Sequence, residues 1–263
     1  MTGSLTRFAV IGLYLSLIGC SNITQQADRA PNRPKDVSNV PNAVPKVEPR
    51  SKYGNPSSYK VLGKRYYTLA TNQGYHQKGI ASWYGSKFHG RRTSSGETYD
   101  MYAMTAAHKT LLLPTYVEVT NLRNGRKVTV KVNDRGPFHE NRIIDLSYSA
   151  AKQLGIVSQG TEMVDIRVIS AGEKPVNSVA KSAPLTVNVP VAVYLQLGAF
   201  STSTSAEQFK KKVQSQIEER VVVDSDGKLY RVRVGPLASV KYGDALASRL
   251  LELGFNDGHM VVE

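Results

Sequence analysis

Tyr116-Val117-Glu118-Val119-Thr120 alternates apolar with polar residues, Lys127-Val128-Thr129-Val130-Lys131-Val132 alternates back, and Asn124-Gly125 stands between them. Successive strand side chains point to opposite faces, so each run offers one face to a core and one to solvent. Asn-Gly supplies the left-handed positions of a tight hairpin turn, and the two runs read as an antiparallel hairpin. Its second strand runs straight into Asn133-Asp134-Arg135-Gly136-Pro137, a turn-rich segment. Further on, a short helix is expected from about Tyr148 to Leu154, stopped by Gly155, and Val164-Asp165-Ile166-Arg167-Val168 supplies a last alternating strand. Many short strands with one small helix, between about residues 78 and 170, point to a closed barrel or a sandwich.

Residues 191–263 contain an internal repeat. Leu197-Gly198-Ala199-Phe200, Glu207-Gln208-Phe209 and Val213 correspond to Val234-Gly235-Pro236-Leu237, Asp244-Ala245-Leu246 and Leu250. Each half is a strand, a turn and an amphipathic helix, so the order is βαββαβ, with Val221–Val223 and Met260–Val262 as the remaining strands. Both helices must then cover one face of the sheet and leave the other free. Alternation places Leu195 and Leu197 opposite Tyr194 and Gln196, and Tyr230, Val232 and Val234 opposite Leu229, Arg231 and Arg233. The open face is therefore expected to carry Gln196, Leu229, Arg231 and Arg233, a set rich in hydrogen-bond donors.

The 263-residue chain holds one cysteine, Cys20, which excludes an intramolecular disulfide framework and a Cys-rich zinc module. Ahead of it, Arg7 precedes an apolar run from Phe8 to Ile18, too short for the roughly 20 residues of a membrane-spanning helix but suited to a secretory signal. Leu17-Ile18-Gly19-Cys20 resembles a bacterial lipobox, which implies that residues 1–19 are removed and that Cys20 carries the lipid. Ser21 after it implies the outer membrane. Residues 20–75 are rich in Pro, Asn and Ser with few large apolar groups, so they read as a flexible tether, in particular up to about residue 60. Residues 171–190 read as a linker.

The net charge of +13 is concentrated early: residues 21–75 carry +6, residues 76–170 carry +5, and residues 191–263 carry 0. A βαββαβ sheet can mimic an RNA-recognition fold. Here the repeat module is uncharged overall and lacks aromatic pairs on its platform strands, and the signal exports the chain, so nucleic acid is excluded as a partner.

Six ordered motifs then name a family. They are Gly79-Ile80-Ala81-Ser82-Trp83-Tyr84-Gly85, Thr93-Ser94-Ser95-Gly96-Glu97, Thr105-Ala106-Ala107-His108, Val119-Thr120-Asn121-Leu122, Val132-Asn133-Asp134-Arg135-Gly136-Pro137-Phe138 and Arg142-Ile143-Ile144-Asp145-Leu146-Ser147. Over residues 79–169 the chain resembles rare lipoprotein A (RlpA), and residues 191–263 resemble the sporulation-related repeat (SPOR) domain. The resemblance implies a double-psi β-barrel at residues 76–170 followed by a ferredoxin-like βαββαβ SPOR domain. It also implies endolytic transglycosylase activity on peptidoglycan, with recognition of glycan strands stripped of stem peptides at the division septum. No cofactor is implied, and the remaining histidines show no ligand spacing, so no metal site is expected.

Such an enzyme cleaves the β-1,4 bond between N-acetylmuramate and N-acetylglucosamine. It must protonate the leaving oxygen and stabilise an oxocarbenium-like state, while the sugar's own 6-hydroxyl attacks to form a 1,6-anhydro ring. Asp134, leaving the hairpin beside Arg135, itself a candidate substrate contact, is the candidate acid/base; its alternative is an Asx-turn residue that shapes the loop. Glu97, in a polar loop, is the second candidate, or else a solvated surface carboxylate. His108, flanked by Ala106 and Ala107, either orients a carboxylate or sugar hydroxyl or is a hydrogen-bonded core histidine. The resemblance matches these three polar positions to the family's site. Trp83 and Tyr84 offer flat faces for sugar rings or fill the core. Asp145 is assigned to structure. In the repeat module the resemblance matches Gln196 and Arg231 to binding positions, while Leu229 stands where some relatives place an aromatic ring.

Overall fold

The computed structural model describes residues 28–139, 141–172, 192–255 and 258–262. Cys20 and the signal segment lie outside them. The chain begins with a small hairpin, β1 (Ser58–Val61) and β2 (Lys64–Tyr67), and then forms six strands: β3 (His76–Tyr84), β4 (Thr105–His108), β5 (Thr115–Asn121), β6 (Lys127–Asp134), β7 (Arg142–Ser147) and β8 (Glu162–Ile169). These close into a barrel in the order β3-β7-β4-β6-β5-β8, with β3–β7 and β4–β6 parallel and the other pairs antiparallel. Ala106, Val117, Val119, Val130, Val132, Ile144, Leu146 and Ile166 fill it and are essentially inaccessible. One short helix, α1 (Tyr148–Leu154), sits over one end. Ser147 Oγ caps its first turn, and Gly155, at φ 81°, ends it in the left-handed conformation that glycine adopts without cost.

The β5–β6 pairing runs in the alternating register expected, from Thr115 against Val132 to Thr120 against Lys127. The turn differs from the expected one, because only Gly125 is left-handed, at φ 70°. Asn124 instead accepts a hydrogen bond from the Arg126 amide, and Asn121 Oδ1 accepts those of Arg123 and Asn124. Two Asn side chains thus form local turns that replace the two-residue hairpin.

The second unit runs β9 (Val193–Phe200), α2 (Ser203–Gln214), β10 (Val221–Ser225), β11 (Tyr230–Leu237), α3 (Val240–Glu252), β12 (His259–Val262), with sheet order β10-β11-β9-β12, all antiparallel. Leu195, Val232, Val234, Val213 and Leu250 form its core between the sheet and the two helices. The closed barrel and the βαββαβ unit bear out the expected fold class. Ile80 and Met163 of the barrel join this core, and Asn141 Oδ1 accepts the Met260 amide at 3.0 Å.

The tether is corrected. From residue 28 onward the polar segment lies on the barrel rather than free of it. Asp28 accepts the amides of Gly85 and Lys87, and Gln153 donates to the carbonyls of Val37 and Val40. Asn42 accepts the Thr129 amide, and Asn55 exchanges hydrogen bonds with the Leu113 backbone. Val37 is buried against Tyr84, Tyr99 and Tyr148. Low hydrophobicity misled the expectation because this segment is held mainly by hydrogen bonds to a surface the barrel supplies, which composition does not register.

Candidate active site

β6 ends at Asp134, and the loop of residues 93–97 folds onto that end. Thr93 and Glu97 close the loop backbone to backbone at 2.8 Å, and the Ser95 amide donates to the Asn133 carbonyl at 3.1 Å. This fixes Ser94 above Asp134. Asp134 Oδ1 accepts the Ser94 amide (2.8 Å), Ser94 Oγ–H (2.7 Å) and the Arg135 amide (2.7 Å). Every hydrogen bond to this carboxylate among the described residues falls on Oδ1, so Oδ2 is left for whatever enters the half-buried site. The sequence assigns Ser94 no role, because nothing in a Thr-Ser-Ser-Gly run tells which hydroxyl will meet a carboxylate 40 residues on.

The same loop carries Glu97 to the neighbouring position. Its carboxylate accepts from Lys131 Nζ and from Asn133 Nδ2, each at 2.7 Å. Burial alone raises its pKa, but the hydrogen bonds from Asn133 and Lys131 and the ammonium charge outweigh it, leaving the group below the usual glutamate value. Glu97 is thus a carboxylate anion over the working pH range, suited to stabilising positive charge rather than to giving a proton. Lys131 also pairs with Glu48 Oε2 at 3.0 Å, and Tyr116 donates to the same Glu48 carboxylate. Glu48, from the segment read as a tether, is therefore part of the charge network of the site.

His108 takes its core alternative. It is buried, its Nδ1 accepts the amides of Thr110 (3.1 Å) and Leu111 (3.0 Å), and Nε2 faces Tyr75 Oη at 3.1 Å. With Nδ1 accepting, the ring proton resides on Nε2. Burial, reinforced by the charges of Arg135 and Lys109, pushes its pKa down to about 3, so it is neutral imidazole. Its hydrogen bonds reach neither Asp134 nor Glu97; it shapes the turn after β4, whose carbonyls hold Arg135.

Arg135 is corrected from a substrate contact to a clamp. Nε donates to Gly54 O (2.8 Å), Nη1 to His108 O (3.2 Å) and Leu111 O, and Nη2 to Asn55 Oδ1 (3.2 Å). Four of its five N–H donors are spent on two segments of chain, Gly54-Asn55 and the turn from His108 to Leu111, that meet at the Asp134 loop. Tyr84 is likewise corrected: it is buried, stacked on Tyr99 at 4.1 Å and met edge-on by Phe88 at 6.1 Å, so it has no free face for a sugar. Trp83 is half-buried against Tyr148. The ring that lies open beside the carboxylates belongs to Tyr53, 58% exposed and placed where a side-chain carbon on Gly96 would meet it at 3.4 Å.

On the sheet of the second unit, helices α2 and α3 cover one face. Arg231 Nη1 pairs with Asp226 at 2.8 Å, and Arg233, only 8% exposed, reaches Asp224 Oδ2 and Gln196 Oε1, each at 3.3 Å. Arg233 is thereby corrected from a free donor to a brace that orients Gln196. Leu229 is 38% exposed at the strand's edge.

Residues 76–166 match the family model described as lytic transglycolase, and residues 190–260 match the SPOR domain. The endolytic peptidoglycan transglycosylase RlpA of Vibrio cholerae is 40% identical over 244 residues, covering 91% of this chain and 89% of that protein. The protein of the same name from Pseudomonas aeruginosa PAO1 is 39% identical over 267 residues, covering 81% of this chain and 78% of its own. That from Neisseria meningitidis Z2491 is 46% identical over 187 residues, covering 69% and 74%.

Proposed function

This chain belongs to the RlpA family, and from that membership we propose that it is an endolytic peptidoglycan transglycosylase acting on stem-peptide-free glycan at the division septum. The observation that carries this reading is the Asp134 carboxylate, pinned through one oxygen by Ser94 and Arg135 with the other oxygen left to the site, and flanked by anionic Glu97. Asp134 exchanges protons with the glycosidic oxygen and the 6-hydroxyl, and Glu97 stabilises the positive charge that develops on the sugar ring. Arg135 and His108 hold the loop in place; Tyr53 offers its face to a sugar ring. The experiment is release of 1,6-anhydro products from purified peptidoglycan by the wild-type protein. Sedimentation with sacculi but no release would make the barrel a glycan-binding module, since a fold does not dictate its chemistry.

The SPOR domain supports glycan recognition through Gln196 and Arg231 on the face that the helices leave open. Gln196→Ala with Arg231→Ala is expected to weaken sedimentation with stem-peptide-free sacculi about tenfold, the loss of a few sugar hydrogen bonds, and to disperse the protein from midcell. Unchanged sedimentation would place recognition elsewhere. Lipid attachment at Cys20 fits an anchor in the outer membrane facing the wall. Cys20→Ser should shift the protein from the membrane fraction to the soluble one, and an unchanged distribution would refute the anchor.

A further inference from the structure

We propose that Asp145 is a second catalytic carboxyl group of this site, the acid that protonates the departing sugar oxygen, which leaves Asp134 to take the proton of the attacking 6-hydroxyl. The proposal rests on the transglycosylase reading above.

Three observations place Asp145 there. In the barrel, Ala107 of β4 is the register partner of Asp134 on one side and of Asp145 on the other. Two interstrand spacings put the Cα atoms about 10 Å apart, a separation compatible with the roughly 5 to 9.5 Å between carboxyl groups that share one glycosidic bond. Only a methyl group stands between them. Next, the chain after Asp134 folds back over this gap. A side-chain carbon at Gly136 would lie 3.8 Å from Ala107 Cβ and 4.0 Å from Asp145 Oδ2, so glycine there leaves the half-buried carboxyl uncovered where any other residue would lie against it.

The third observation is Tyr84. Its Oη is buried beside Thr105 Oγ1. The charges of both Asp134 and Asp145 act on it.

The surroundings suit Asp145 to hold a proton. Burial raises its pKa, against the lowering pull of the Ser82 Oγ–H bond and of the charges on Arg142, Lys109 and His139. Ser82 in turn accepts from Arg142 Nη1 at 3.2 Å, which fixes the orientation of the Asp145 side chain. Asp134 and the hydroxyls of Tyr84 and Tyr99 also lie within reach of its charge. In the reaction the C1–O4 bond breaks and O4 takes the Asp145 proton, while O6 gives its proton to Asp134 and bonds to C1. Solvent exchange then returns Asp134 to its anion and Asp145 to its acid.

The test is the turnover of full-length protein on purified sacculi as a function of pH. Wild type should lose turnover as pH rises through the Asp145 pKa. Asp145→Asn should lower turnover by about 10² to 10⁴-fold, with sedimentation on sacculi unchanged and no high-pH loss in the residual rate. Ser82→Ala keeps the carboxyl but removes the donor that lowers its pKa, so the high-pH loss should move upward. Wild-type-like turnover in Asp145→Asn overturns the proposal, and so does an unmoved profile in Ser82→Ala, which would leave Asp145 a merely structural residue. An inactive wild type would instead defeat the enzyme reading itself, and this proposal with it.

Discussion

Replacing Asp134 with Asn is expected to lower the release of anhydro products by about 10² to 10⁴-fold while leaving the fold intact. Asn keeps a carbonyl oxygen where Oδ1 receives Ser94 N–H, Ser94 Oγ–H and Arg135 N–H, so the loop retains its three anchoring bonds. What it loses is the Oδ2 oxygen through which a proton passes to or from the substrate. Ala would be a poorer probe, because it deletes the acceptor that holds the 93–97 loop and mixes misfolding with chemistry. Glu97→Gln, which keeps an oxygen to accept the hydrogen bond from Asn133 Nδ2 but gives Lys131 no charge partner from the loop, should impair turnover less. Near-wild-type rates in both variants would mean that the site is misplaced.

The second large effect is on stability. Arg135→Ala removes a half-buried guanidinium whose donors join Gly54, Asn55, His108 and Leu111. Carbonyls that lose a charged donor in a packed site are costly, and the loss should be about 3 to 5 kcal/mol. At roughly 2 to 4 °C per kcal/mol for a chain of this size, the melting temperature should fall on the order of 10 °C. Lysine should rescue little, since a single ammonium cannot fork across four acceptors on two segments. Were Arg135→Ala to melt within about 2 °C of wild type, the clamp would be decorative and the guanidinium free to serve substrate.

Much of this architecture was legible in the residues alone. The β5–β6 hairpin, the α1 helix ending at Gly155 and the βαββαβ order all rest on local periodicity and turn chemistry, which act over a few residues and need no partner to be read. The charge of Asp134 and Glu97 and their polar loops were visible too. What the periodicity could not carry was any fact that depends on segments far apart in the chain. Ser94 meets Asp134 across 40 positions, Glu48 meets Lys131 across 83, and Arg135 meets Gly54 across 81. Such contacts are set by strand order and register, so the residues at either end show no sign of each other until the barrel closes.

The same reason explains the reversals. Tyr84 and Trp83 are aromatic in any reading, but whether a ring faces solvent or Tyr99 is decided by the packing of another loop. Arg231 and Arg233 share a face by alternation, yet Asp224 and Gln196 decide that Arg233 is spent as a brace. Residues 28–75 are polar enough to stay unfolded alone, and they are ordered by hydrogen bonds to a barrel surface that exists only once the rest has folded. Asp145 shows the limit most clearly: the chain fixes it as one carboxyl in an apolar strand, and only its register against Ala107 brings it opposite Asp134.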